Sequence, residues 1–378
     1  ISIDYGYRMK QMKKTKKLKD VLKRALLNQS LGFEEISFLL SQRDAGNIEL
    51  LFDAARCVRN RFFGTRVFLY GFLYFNTDCC NDCTFCKYRT SNTTLRRYRK
   101  SSAEVQDAVS AIVESGVHLV DLTMGEISSN QHEAEIEYKR LSAFVRLVRK
   151  ESNVPVMVSP GVVPCSVLQE LAAAGASWYA CYQETYNRAL FSKTRIRQSF
   201  SARVRAKRQA QASGMLIEEG MLIGIGETID DLTENIIAMR DLEADQVRVM
   251  TFIPQKGTPM ARWEPQDHLQ ELITIAVLRL AMPDRLIPAS LDVGGLDGLQ
   301  RRLNSGANVV TSLMVPSQGL AGVANQKLDI EQARRTPDAI RPVLTSCGLE
   351  AATLDEYRNW LSIRKEKYPA ALCAEKVA

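Results

Sequence analysis

Near the start of the chain, Leu18, Val21, Leu22, Ala25 and Leu26 recur at helical spacing, and a second apolar run, Phe33 to Leu40, follows the break at Gly32. From Arg66 onward the pattern changes to short β-rich runs alternating with amphipathic stretches. Predicted strands cover Val67 to Phe75, His118 to Thr123, Val156 to Ser159, Ser177 to Tyr182, Leu216 to Ile223, Gln246 to Thr251, Leu286 to Ser290 and Asn308 to Thr311. The stretches Ser101 to Ser115, Ala134 to Lys150 and Leu232 to Leu242 are each long enough to cross back over a parallel sheet with the usual right hand. Eight such units in about 250 residues predict an α/β fold of the TIM-type (β/α)8 class. Gly116, Gly175, Gly214 and Gly306 fall where the crossover helices should end, as left-handed C-caps. The expected organisation is a basic arm and N-terminal helices over 1–60, the barrel over 61–325 and a C-terminal helical tail over 326–378, in which no chemical motif stands out.

Composition narrows the class. With 46% apolar and 25% charged residues the chain has the balance of a globular protein. Its longest apolar stretch, near Val67 to Phe75, falls far short of the roughly 18 residues a membrane span needs. The N-terminus carries no secretory pattern, and the first methionine stands at position 9, so residues 1–8 are expected to precede the natural start and the location to be cytoplasmic. The formal charge of +7 suggests nucleic acid only until it is located: residues 1–24 carry nine basic and two acidic groups, and the rest of the chain balances at 41 of each. The body has no net attraction for a polyanion, and no nucleic-acid partner is expected.

Four of the nine cysteines crowd into CCNDCTFC, just past the first predicted strand. Reactive groups in such barrels come from the C-terminal ends of strands. The spacing Cys79-x3-Cys83-x2-Cys86 has no nearby histidine or second CxxC pair to complete a tetrahedral zinc site. Three thiolates on one loop suit a 4Fe-4S cluster with one iron left open for another ligand. Cys80 offers an alternative frame, Cys80-x2-Cys83-x2-Cys86. The scattered Cys57, Cys165, Cys181, Cys347 and Cys373 read as small buried hydrophobes.

The Cx3Cx2C loop with Phe85 before its last cysteine resembles the signature of radical S-adenosylmethionine enzymes. The resemblance implies that Cys79, Cys83 and Cys86 ligate the cluster while Cys80 stands by, and that S-adenosylmethionine binds the open iron. It extends to three further turns. Met124-Gly125-Glu126 is similar to the GGE-like turn for the cosubstrate's amino group, with Met in place of the first glycine. Glu184 and Arg203, nineteen residues apart, resemble the cosubstrate-binding pair of the biotin synthase and hydrogenase-maturase subgroup. Gly224-Ile225-Gly226-Glu227 resembles the adenine-side turn. As a dinucleotide fingerprint that run fails, because the third glycine position is Ile229. His118, His132 and His268 form no constellation with Ser or Cys, so triad hydrolysis is not supported.

Four polar residues stand at strand ends where an apolar barrel has no structural use for them: Asp121, Arg248, Ser290 and Asp292. A guanidinium at 248 is shaped to clamp a carboxylate with two hydrogen bonds. One carboxylate and two ammonium groups would satisfy Arg248, Asp121 and Asp292 together, which describes a basic amino acid such as lysine. An internal Asp121–Arg248 salt bridge is the structural alternative.

The runs RVFLYGFLYF, HLVDLTMGE, YQETY, VRVMTFIPQKGTP and RLIPASLD resemble the methylornithine synthases of the pyrrolysine pathway over about residues 60–325. That resemblance implies isomerisation of L-lysine to 3-methylornithine by adenosyl-radical hydrogen abstraction, fragmentation and recombination. It assigns substrate binding to Asp121, Arg248, Ser290 and Asp292, and implies a low-potential electron donor such as a flavodoxin or ferredoxin. A related radical enzyme acting on another amino acid and a non-catalytic zinc barrel remain as alternatives.

Overall fold

The computed structural model describes residues 15–127, 131–320, 322 and 327–366. Most of the basic arm, together with 367–378 and therefore Cys373, lies outside them. Three N-terminal helices, α1 (15–26), α2 (Phe33–Leu40) and α3 (Ala45–Phe63), precede the barrel. The barrel strands are β1 (Arg66–Asn76), β2 (Leu119–Met124), β3 (Val156–Ser159), β4 (Ala176–Ala180), β5 (Leu216–Ile223), β6 (Gln246–Thr251), β7 (Pro288–Ser290) and β8 (Val309–Leu313). All eight coincide with predicted runs. Around them lie α4 (Ser102–Glu114), α5 (Gln131–Glu151), α6 (Cys165–Ala174), α7 (Arg188–Thr194), α8 (Phe200–Ala212), α9 (Ile229–Asp241), α10 (Leu269–Ala281) and α11 (Gly295–Asn304). The C-terminal tail adds α12 (Lys327–Glu331), α13 (Pro337–Ser346), β9 (Glu350–Ala351) and α14 (Leu354–Lys365).

The helices start where side chains satisfy their free N–H groups. Ser101 with Glu104, Thr228 with Asp231 and Thr353 with Glu356 form reciprocal capping boxes. The four predicted C-cap glycines all have positive φ, from 82° at Gly214 to 110° at Gly306. Helices α2 and α3 pack against α9 and α10 on the outside of the barrel.

The strands pair in parallel in the order β6-β5-β4-β3-β2-β1-β8-β7. Closure between β6 and β7 is confined to their N-terminal ends, where Val247 N–H donates to Leu286 O at 2.9 Å and Leu286 N–H to Asp245 O at 3.1 Å. The result is a nearly closed barrel whose mouth is wider than its base.

Alternate residues of β1 file up the interior. Near the base, Phe68 and Tyr70 meet α14, with Tyr70 and Tyr357 hydroxyls 2.9 Å apart, and Trp178 of β4 stacks on Trp360 at 5.9 Å. Arg364 completes this plug by donating to Asp245 at 2.6 Å and to Asp284 at 2.7 Å. His118 is buried beside it and accepts the Leu69 N–H at 2.9 Å through Nδ1, and burial pushes its pKa down to about 4. It is a neutral structural wedge.

The plug gives a stability prediction. Arg364→Ala leaves Asp245 buried without its cation, so we expect a loss of about 3 to 5 kcal/mol, read as a lower urea midpoint at unchanged slope. Adding Asp245→Asn should recover part of the loss. An unchanged midpoint in the single variant would remove the tail from the barrel's stability.

Candidate active site

A cavity of ≈ 260 Å³ opens at the C-terminal ends of the strands. One side is the cysteine loop, the other a set of buried charges.

The loop between β1 and α4 is tied down along its length. Cys80 N–H donates to Glu126 O at 2.8 Å, Thr84 N–H to Thr194 O at 2.8 Å, and Arg89 pairs with Asp82 at 2.7 Å. Arg97 gathers the carbonyls of Thr77, Tyr88 and Arg89 at 2.7, 3.2 and 2.7 Å. Cys79, Cys83 and Cys86 line the cavity, whereas Cys80 is exposed and faces an outer cleft. Burial pushes the thiols of Cys79, to about 12, and of Cys86 upward. Three sulfurs in so poorly solvated a wall fit an iron–sulfur cluster, whose metal charge offsets the cost of burying thiolates. Among the described residues no three His, Cys, Asp or Glu side chains converge on one metal ion, the arrangement a zinc site requires.

Gly125 explains why β2 can end against this loop. A Cβ there would meet Asp78 O at 2.1 Å and Cys79 Cβ at 2.6 Å. Substituting Met124 for the usual glycine beside it costs nothing comparable, since Met124 packs into the core. Glu126 lines the cavity, pairs with Arg203 at 3.3 Å and accepts the Val162 N–H at 3.0 Å.

Glu184 adopts φ 67° and is buried, with Arg195 donating to Oε1 at 2.9 Å while Oε2 has no partner. Burial pushes its pKa up and Arg195 opposes the shift. Arg203 is buried too and donates to Tyr182 O at 3.0 Å. Both residues line the cavity. Phe85 lines the cavity, but Ile225 does not appear in its wall. Its side chain joins a small cluster with Phe85, Leu222, Phe252 and Met260, and its N–H donates to Glu227 at 2.9 Å.

Across from the cysteine loop, Asp121, Arg248 and Asp292 line the cavity. Ser290 is buried just behind, 3.4 Å from the Ser312 hydroxyl and accepting the Asp292 N–H at 3.2 Å, so it supports Asp292 and does not itself face the space. Sequence reasoning missed the partners of these groups. Arg248 Nε donates to Glu218 at 2.7 Å and Nη1 to Thr311 Oγ1 at 3.0 Å. The anticipated two-bond clamp is therefore half engaged, and Nη2 alone is buried without a partner. Asp292 pairs with Arg335 at 2.6 Å and accepts from Ser312 at 2.8 Å. The tail, in which no chemical motif stands out, thus supplies the ion-pair partner of a cavity residue. The Asp121–Arg248 bridge does not form, because Glu218 lies next to Arg248 on the adjacent strand. Two acids in the apolar run of β5, Glu218-Glu219, were the available signal.

Asp121 accepts from Ser159 at 2.9 Å and has no cationic partner among the described residues. Burial, reinforced by the charge of Glu218 and opposed by Ser159, pushes its pKa up to about 7. The anion that can hold an ammonium group therefore appears only as pH rises through that value. For a cationic substrate, kcat/KM should climb between about pH 6 and 8, and Asp121→Asn should be low and flat across that window. A wild-type profile flat through pH 7 would show that Asp121 does not meet the substrate's charge.

Comparison with known proteins gives a consistent picture. Residues 73–236 match the Radical SAM superfamily. The chain is 41% identical over 331 residues to 3-methylornithine synthase of Methanosarcina acetivorans, covering 88% of this chain and 93% of that one. It is 29% identical over 287 residues to the [FeFe] hydrogenase maturase subunit HydE of Thermotoga maritima, covering 75% and 80%. A crystal structure of methylornithine synthase superposes with a TM-score of 0.83 at 38% identity, covering 90% of this chain and 99% of that one. The maturase HydG from Carboxydothermus hydrogenoformans shares the fold, with a TM-score of 0.77 at 21% identity over 89% and 80% of the two chains.

Proposed function

The chain belongs to the radical SAM superfamily and, within it, to the 3-methylornithine synthases, and on that premise we propose that it isomerises L-lysine to 3-methylornithine inside the barrel mouth. In this reading 61–325 is the catalytic barrel, with 1–60 and 326–378 as its covering extensions. Cys79, Cys83 and Cys86 would hold a 4Fe-4S cluster, and Glu126, Glu184 and Arg203 would hold S-adenosylmethionine beside Gly125, Phe85 and the Ile225 turn. When bound, the cluster and S-adenosylmethionine would supply the radical chemistry for hydrogen-atom transfer to and from the substrate. A low-potential donor of the flavodoxin or ferredoxin kind would provide the electron.

The observation that carries the substrate assignment is the pairing of unmet needs in the cavity wall. Arg248 offers a buried N–H group without an acceptor, and Asp121 a buried carboxylate without a cation. An amino acid with a cationic side chain meets both, its carboxylate on Arg248 Nη2 and an ammonium on Asp121. Asp292, held by Arg335 and Ser312, receives the second ammonium with its remaining lone pairs. Glu218 is already matched by Arg248 and Asp292 by Arg335, which leaves Asp121 as the carboxylate at this end without an ion-pair partner among the described residues. A cationic side chain can supply that partner and a neutral one cannot. Phe72, Tyr74, Tyr88 and Phe252 line the space, and α14 closes the base, so water has no entry from below.

The test is anaerobic incubation of the reconstituted protein with S-adenosylmethionine, a reductant and either lysine or norleucine, with products read by mass spectrometry. Lysine should give a branched isomer of equal mass. Equal turnover of norleucine would end the basic amino acid assignment while leaving the radical chemistry in place.

A further inference from the structure

Cys83 differs from the other two cavity cysteines in what approaches its sulfur. Cys79 and Cys86 receive backbone N–H groups, those of Asn81 and Tyr88 among them. At Cys83 the donors are side chains from the turn between α7 and α8: Gln198 Nε2 at 2.9 Å and Arg195 Nη1 at 3.6 Å.

Both donors are aimed by their own partners. The Gln198 amide oxygen accepts from Arg195 at 3.3 Å and from Arg203 at 3.2 Å. With its oxygen claimed by two guanidiniums, the amide has only its NH2 group to turn toward Cys83. Arg195 is fixed by Gln183 O at 3.3 Å, Tyr182 O at 2.9 Å and Glu184 at 2.9 Å, and its guanidinium lies 5.3 Å over the Phe85 ring. The Thr84 to Thr194 backbone bond at 2.8 Å ties this turn to the cysteine loop. A buried side chain with so many constraints cannot swing away when the sulfur changes charge.

We propose that Arg195 and Gln198 raise the reduction potential of the cluster by stabilising negative charge on Cys83 sulfur, an inference that rests on the reading of Cys83 as a cluster ligand. The cluster gains one electron from an external one-electron donor, which is oxidised in the same step, and the added charge spreads onto the thiolate sulfurs. Hydrogen bonds to those sulfurs and a nearby cation favour the reduced state over the oxidised one. The effect is strengthened by burial, where charge is poorly screened. Both side chains contact the Cys83 sulfur directly. Both act through the sulfur, on whether the donor can drive the first electron transfer.

The experiment uses the full chain, reconstituted with iron and sulfide, as wild type, Gln198→Leu, Arg195→Gln and Arg195→Lys. Iron content, the electron paramagnetic resonance signal of the reduced cluster and its midpoint potential are measured. Gln198→Leu and Arg195→Gln should bind wild-type amounts of iron yet be about tenfold less reduced at a fixed reductant potential, equal to about 59 mV for a one-electron couple. Arg195→Lys, which keeps the charge but not the fork, should fall between. Wild-type potentials in both neutral variants at full iron content would overturn the inference and leave the proposed function standing. Should Arg195→Gln fail to take up iron, Gln198→Leu alone decides, because it leaves the Arg195–Glu184 pair in place. A wild-type protein that assembles no cluster would overturn the proposed function and this inference with it.

Discussion

Cys79→Ala, Cys83→Ala and Cys86→Ala are each expected to abolish the brown iron chromophore and all turnover, while Cys80→Ala keeps both. The asymmetry follows from position and not from reactivity. Three sulfurs line the cavity, and the fourth, although adjacent in sequence to Cys79, faces the outer cleft. Removing one of three thiolates leaves an iron with no protein ligand and a buried metal charge without its counter-ion, so the loss should be complete and not graded. The check is absorption and iron analysis of anaerobically reconstituted variants. A Cys79→Ala protein with a full cluster and a colourless Cys80→Ala protein would shift the ligand frame by one residue.

The second large effect should come from Arg248→Gln. The substitution removes the group proposed to hold the substrate carboxylate and leaves Glu218 buried with only the Tyr182 hydroxyl, at 2.9 Å, to satisfy it. Leaving Glu218 unpaired costs stability, and separately, truncating one partner of a buried charge pair across a binding contact costs about 2 to 5 kcal/mol, which is about one and a half to three and a half decades in kcat/KM for lysine. Damage to the fold and loss of binding are separable. Arg248→Gln with Glu218→Gln has no unpaired buried charge, so it should regain stability in thermal unfolding but not lysine turnover. Recovery of turnover in the double variant would mean that Arg248 serves only to neutralise Glu218.

How far these residues were legible in the sequence differs by kind. The eight strands could be placed because short apolar runs between helical stretches are a local signal, and strand alternation fixes which side chains face inward. The cysteine frame could be proposed from sequence because the candidate ligands share one loop of eight residues, where spacing alone restricts geometry. Asp121 and Arg248 could be picked out because a charge inside an apolar run has no cheap place to go unless it faces a cavity.

Alternation says which face a residue takes, not what it meets there, and here the tertiary structure decided. Arg248 meets Glu218 because β5 and β6 pair with Gly220 opposite Arg248, a register no local pattern encodes. Asp292 is held by Arg335 from the tail, and Cys83 by Arg195 and Gln198 from more than a hundred residues away. The side chains of Ser290 and Ile225 pack behind the cavity wall, against Ser312 and against Phe85 and Phe252. The chain sequence by itself therefore determined the barrel, its reactive end and the charged residues placed there. Which carboxylate is left without a cation, and which sulfur receives a guanidinium, was settled only when distant segments closed on one another, because ion pairs and hydrogen bonds depend on positions within a few tenths of an ångström that only the assembled core can hold.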